Sequence, residues 1–107
     1  MQICAENRGH TLYVCVSGEL DEHNAARARM EADKLAERCV GKTSRAVFDL
    51  GSVSFMDSSG IAVVINALRH MSRMDGVLYI SGLCEQPRKV FCAAGIDKLV
   101  KIKEAIF

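Results

Sequence analysis

A single α/β domain spanning residues 1–107 is predicted, with a mixed sheet of four or five strands and three to four helices. Three features predict it. Short apolar or alternating stretches take turns with longer stretches of three- and four-residue periodicity, in the order β-β-α-β-α-β-α-β with a C-terminal stub. The first two strands are separated only by a tight turn and so form an antiparallel hairpin, whereas the later strands are joined through helices and run largely parallel. Finally, 107 residues, half of them hydrophobic and a quarter charged, suffice for one core and not for two.

TLYVCVS, residues 11–17, alternates with Leu12, Val14 and Val16 on one face, the pattern of a half-buried strand. QICAEN pairs with it through an Arg8-Gly9 turn, which sets Ile3 opposite Val14 and Ala5 opposite Leu12, all on that face. After GELD, residues 18–21, a long helix is expected with Asp21 as N-cap and Ala25, Ala28, Ala32, Leu35 and Cys39 as its buried stripe. Gly41 ends it. AVFDL, residues 46–50, is short and apolar and suits a central strand.

A second helix follows FMDSSG, with Ile61, Val64, Ile65, Leu68 and Met71 inward, and stops at Asp75-Gly76. VLYIS, residues 77–81, is the next strand. Pro87 and Gly95 bracket a third helix with Val90, Phe91 and Ala94 inward. Ile96, Leu99, Val100 and Ile102 then predict a final short strand, and EAIF one more helical turn.

The net charge of +1 supplies no overall field for nucleic acid or anionic lipid. The N-terminus lacks the apolar core of a signal peptide, and no stretch reaches membrane-spanning length, so a cytoplasmic protein is expected. Five scattered cysteines without a CxxC pair suggest neither a zinc site nor a disulfide framework, and they are read as free thiols acting as small hydrophobes. No cofactor and no metal is expected.

Two loops fall at the carboxyl ends of strands, where sheets of this kind carry functional groups: GELD and DSSG. Ser58 or Ser59 lies at the N-cap or first turn of the second helix, where unpaired N–H groups and the positive end of the dipole favour an anion. Simple capping would account for Asp57, Ser58 or Ser59 singly, but one cap needs one side chain and the stretch offers three plus Gly60. A nucleophilic serine is one active reading. The GxSxG elbow is missing, however, and among His10, His23 and His70 only His23 is placed to approach. A serine that accepts phosphate from another enzyme is the other, because nearly two added negative charges beside Asp57 would change the sign of the surface without unfolding it.

GELD, FDLGSVSFMDSSGIAVV and DGVLYISG resemble, in order and spacing and over nearly the whole chain, the bacterial anti-sigma factor antagonists of the STAS domain family. The resemblance implies a cytoplasmic, non-enzymatic protein that binds an anti-sigma factor, itself a serine kinase, and thereby frees a sigma factor. Phosphorylation by that kinase reverses the binding, and a serine phosphatase resets the cycle. It implies Ser58 as the phosphate acceptor, with Asp21 and Asp57 beside it. Ser59, Gly60, Ala62, Val63 and Asn66 are expected on the partner-facing side of the second helix, with Gly60 explained by close approach of the partner. A monomer or weak dimer is expected, without contact to nucleic acid or membrane.

The alternative is a STAS scaffold subunit in a stress-signalling assembly or a transporter regulator, acting without a phosphoserine. The chain departs from the family in ending at Phe107 after barely one helical turn, where relatives continue into a fuller terminal helix.

Overall fold

A computed structural model describes residues 1–38 and 45–103. Strands β1 (Gln2–Arg8) and β2 (Thr11–Leu20) precede helix α1 (Ala25–Arg38). Strand β3 (Arg45–Met56), helix α2 (Ser58–Arg73), strand β4 (Val77–Ser81), helix α3 (Glu85–Ala94), a 3-10 turn (Ile96–Lys98) and strand β5 (Lys101–Lys103) follow. The strands lie side by side in chain order, with β1 antiparallel to β2 and every later neighbour parallel. Each helical crossover therefore steps to the next strand in the same direction, and the right-handed rule puts all three helices on one face.

That face holds the core. Leu12, Val14 and Val16 of β2, Ala46, Phe48 and Leu50 of β3, and Leu78 and Ile80 of β4 are buried there with Val64 and Met71 of α2 and Phe91 of α3. On the opposite face Tyr13, Val47 and Tyr79 stand in register across β2, β3 and β4. Val47, between the two rings, is fully buried. The Arg8 guanidinium sits 4.5 Å over the Tyr13 ring and the Lys101 ammonium 6.0 Å over Tyr79.

The hairpin differs from the sequence expectation by two residues. Gly9-His10 forms the turn, pairing Ile3 with Val16 and Ala5 with Val14. Gly9 adopts φ 63, so it takes the first central position, where a type II′ turn demands a residue that tolerates positive φ. A shift of two preserves which face each side chain occupies. Ala5 is nonetheless exposed at the sheet edge, and Ile3 is half-buried.

Strand β3 runs twelve residues to Met56 rather than stopping at Leu50. Two irregularities in its pairing with β2 make this work, one between Cys15 and Ser17 and one between Gly18 and Glu19. Each inserts an extra residue in β3 and resets the alternation, so that Leu50, Val53 and Met56 are all 0 % exposed at three-residue spacing.

In α1, Ala28 is buried and Ala25 and Ala32 half-buried, as the stripe predicts, while Cys39 and Gly41 lie outside the described residues. In α3, Phe91 is buried and Val90 half-buried, but Ala94 faces solvent. Ile96 and Val100 are not part of a strand. Their separation is one helical turn, and the backbone bonds Leu99 N–H to Ile96 O and Val100 N–H to Ile96 O close that turn instead. It buries Ile96 and Val100 and leaves Leu99 62 % exposed; only Ile102 falls in β5. The EAIF turn lies outside the described residues.

Candidate functional site

The ends of β2 and β3 are hydrogen-bonded neighbours, Glu19 beside Phe55 and Leu20 beside Met56. The GELD and DSSG loops therefore emerge side by side. Asp57, with extended backbone angles φ −122 and ψ −168, is the N-cap of α2. Its Oδ1 accepts the Ser59 N–H at 2.9 Å and the Gly60 N–H at 3.3 Å. Its Oδ2 accepts the Glu22 N–H at 3.2 Å from the other loop.

Asp21, expected as the N-cap of α1, instead closes the turn ahead of it, because α1 begins only at Ala25 and the Asn24 carbonyl accepts its first helical bond, from Ala28. The Asp21 Oδ1 accepts the N–H groups of His23 and Asn24, both at 3.1 Å, and its carbonyl accepts from Asn24 and Ala25. The Asn24 side chain donates back to the Glu19 carbonyl at 2.9 Å, tying the loop to the strand it left.

With Asp57 as cap, neither serine is needed for that purpose. Ser58 is the first residue of α2 and is exposed, while Ser59 and Asp57 are half-buried. Among the described residues, no hydrogen bond joins His23 to Ser58.

Gly60 is buried, and its reason is internal rather than a partner's approach. A Cβ there would stand 2.5 Å from the Leu20 carbonyl oxygen and 2.6 Å from Met56 Cγ, so the helix start packs directly on the paired ends of β2 and β3. Val63 corrects the expected outward side as well. At 5 % exposure it faces the core, because α1 lies against α2 and covers that flank. Ala62 is exposed, as expected. Asn66 is half-buried and donates to Asp33 Oδ1 of α1 at 2.8 Å, an atom that also meets His70 Nε2 at 2.9 Å.

Two further features carry no short-range sequence signal. Gln86, early in α3, grips the backbone of Met56 from both sides: its Oε1 accepts the Met56 N–H at 2.8 Å and its Nε2 donates to the Met56 carbonyl at 2.9 Å. It secures the residue immediately before the cap. Beside Ser59, a surface depression of about 380 Å³ opens between the helix starts, lined by Ala25, Arg29, Met30, Ser59, Ala62 and Val63. Met30 is 60 % exposed, and Phe55, just before the site in β3, is 41 % exposed. The two loops and the helices that follow them thus carry the exposed Ser58, two hydrogen-bonded aspartates and, at Met30, an apolar side chain facing solvent.

A sheet of this order with helices on one face, and a capped serine loop at its strand ends, defines a small single-domain α/β protein. Residues 2–106 match the STAS domain, and the chain belongs to that family. It is 28 % identical to the anti-sigma F factor antagonist of Paenibacillus polymyxa, over 95 % of this chain and 86 % of the relative. It is 31 % identical to the anti-sigma-B factor antagonist of Staphylococcus epidermidis, over 85 % of this chain and 82 % of the relative. In structure it is similar to the anti-sigma factor antagonist SpoIIAA in its unphosphorylated form (TM-score 0.73, 23 % identity, 98 % of this chain and 90 % of that one). Bacillus SpoIIAA in the phosphorylated form is similar too (TM-score 0.71, 23 % identity, 96 % and 92 % covered). No helix among the described residues is long and apolar enough to cross a membrane.

Proposed function

We propose that the chain is an anti-sigma factor antagonist, a partner-switching regulator with Ser58 as its phosphate-accepting switch. The observation that carries the reading is the division of labour at α2: Asp57 caps the helix, and Ser58 is left exposed beside it. Curated relatives that carry the antagonist name over most of their length support the role.

In the unphosphorylated state the start of α2 docks an anti-sigma factor that is a serine kinase, and a sigma factor is released. Ser58, Ser59 and Ala62 make the contact with Met30 and Phe55; Val63 forms the floor of the depression. Gly60 acts by letting α2 sit low on the strand ends, and Asn66 by fixing α2 to α1 through Asp33.

The kinase then transfers the terminal phosphoryl group of ATP to Ser58 Oγ, which loses its proton. The phosphate adds close to two negative charges beside Asp57 and Asp21. The positive end of α2 offsets part of the repulsion within the fold, whereas a docked partner must desolvate the new charge. The complex separates, and a serine phosphatase restores the hydroxyl by hydrolysis. Use of ATP places the cycle in the cytoplasm, with the antagonist acting as a monomer or weak dimer.

Affinity capture with wild type, Ser58→Ala and Ser58→Asp as baits tests this. Wild type and Ser58→Ala should retain an ATP-binding serine kinase, Ser58→Asp should not, and added ATP should release the partner from wild type alone, with phosphate mapped to Ser58. Equal retention by all three baits would leave Ser58 without a switching role.

A further inference from the structure

The helix-free face of the sheet brings together two cysteines that lie eleven positions apart in the chain. Cys4 of β1 and Cys15 of β2 are direct cross-strand partners, and both are exposed free thiols. Directly opposed residues of an antiparallel pair stand about 4.5–5.5 Å apart at Cα. That lies inside the range of about 4.4–6.8 Å that a disulfide spans. Both side chains line an open depression of about 360 Å³ with Glu6, Arg8, Tyr13 and Asp49, so a small molecule can reach the sulfurs.

We propose that Cys4 and Cys15 are a redox-active dithiol, oxidised by a small-molecule disulfide to a cross-strand bond that staples β1 to β2. One cysteine thiolate attacks the small disulfide, forming a mixed disulfide and expelling one thiol. The second cysteine, as thiolate, attacks the protein-bound sulfur, closes the Cys4–Cys15 bond and expels the second thiol. The two electrons lost by the cysteines reduce the small disulfide, and the two protons end on the departing thiols.

The geometry around Cys15 sets the pace. Partial desolvation and the Asp49 carboxylate, whose Oδ2 lies 3.9 Å from Cys15 Sγ, hold its thiol above the usual range. Closure therefore accelerates as pH rises. The consequence falls on β1, an edge strand whose contribution to the core is the half-buried Ile3 with Met1 before it. The dithiol sits on the face away from the helices, so the staple leaves the Ser58 loop in place.

The test is equilibration of the full chain with graded ratios of oxidised to reduced glutathione, acid quenching, alkylation and mass analysis. Cleavage after Arg8 separates the two cysteines into different peptides. The expected result is a monomer lacking two alkylatable thiols, with the Cys4 and Cys15 peptides joined and released by reductant. Amide exchange in β1 should slow by roughly tenfold or more on oxidation. Cys4→Ser and Cys15→Ser should each abolish the joined peptide. Free Cys4 and Cys15 at every ratio, or bonds to Cys39, Cys84, Cys92 or a second chain instead, would overturn the proposal. The wild-type peptide map is decisive on its own, whether or not either variant folds.

Discussion

The Asp57 carboxylate reaches the Glu22 backbone N–H at 3.2 Å while its other oxygen caps α2. One side chain thus closes the first turn of a helix and latches the neighbouring loop across 35 positions of sequence. Asp57→Ala loses both functions and should lower stability by about 1–2 kcal/mol in urea denaturation. Asp57→Asn keeps an oxygen for the cap and should recover part of the loss. Equal stability of Asp57→Ala and wild type would show that the latch carries no weight.

Ser58→Ala should leave stability within about 0.5 kcal/mol of wild type, because an exposed residue relieved of capping loses little on truncation. A loss near 1 kcal/mol in thermal or urea unfolding would instead mark Ser58 as a structural cap.

Gly60→Ala should destabilise by about 1–3 kcal/mol, since its methyl group meets a backbone carbonyl at 2.5 Å that cannot swing aside as a side-chain end can. Ala62→Ser, two residues on and exposed, serves as the control and should stay near wild type in the same urea titration.

Gln86→Ala removes two hydrogen bonds to Met56 and should cost about 1–3 kcal/mol. Gln86→Glu keeps an acceptor for the Met56 N–H but sets a carboxylate against the Met56 carbonyl, so it should be little better. Faster amide exchange at Met56 and the first turn of α2 is the local readout.

Alkylation of Cys15 should be slow at neutral pH and rise steeply through the alkaline range, because partial desolvation first and Asp49 second favour its protonated form. A raised folded-state value means the contribution to stability is present below the unfolded thiol's ordinary value and lost as pH climbs through the folded one. Asp49→Asn should shift the alkylation profile of Cys15 to lower pH; an unmoved profile would mean that desolvation alone sets it.

Much of this architecture was legible because it is written at short range. The periodicity of Ile61, Val64 and Met71, the alternation of Leu12, Val14 and Val16, and the acid-serine-serine-glycine stretch each report a local preference. A helix or strand expresses that preference before it meets its neighbours. The errors fell where a neighbour decides. Ile96 and Val100 have an apolar pattern that suits a strand, yet the turn after Gly95 buries both. Val63 lies on a helix face that periodicity alone leaves open, and only the presence of α1 closes it.

By itself the sequence determined the order of most strands and helices, the core-facing residues of β2 and most of those of α2, and the location of the serine loop, since these follow from spacing along one chain. The tertiary structure decided which of Asp57, Ser58 and Ser59 caps α2, why residue 60 is glycine, that Gln86 braces Met56, and that Cys4 faces Cys15. The physical reason is the same in each case: a hydrogen bond, a steric limit or a strand register joins atoms far apart in sequence, and it exists only once the elements are packed.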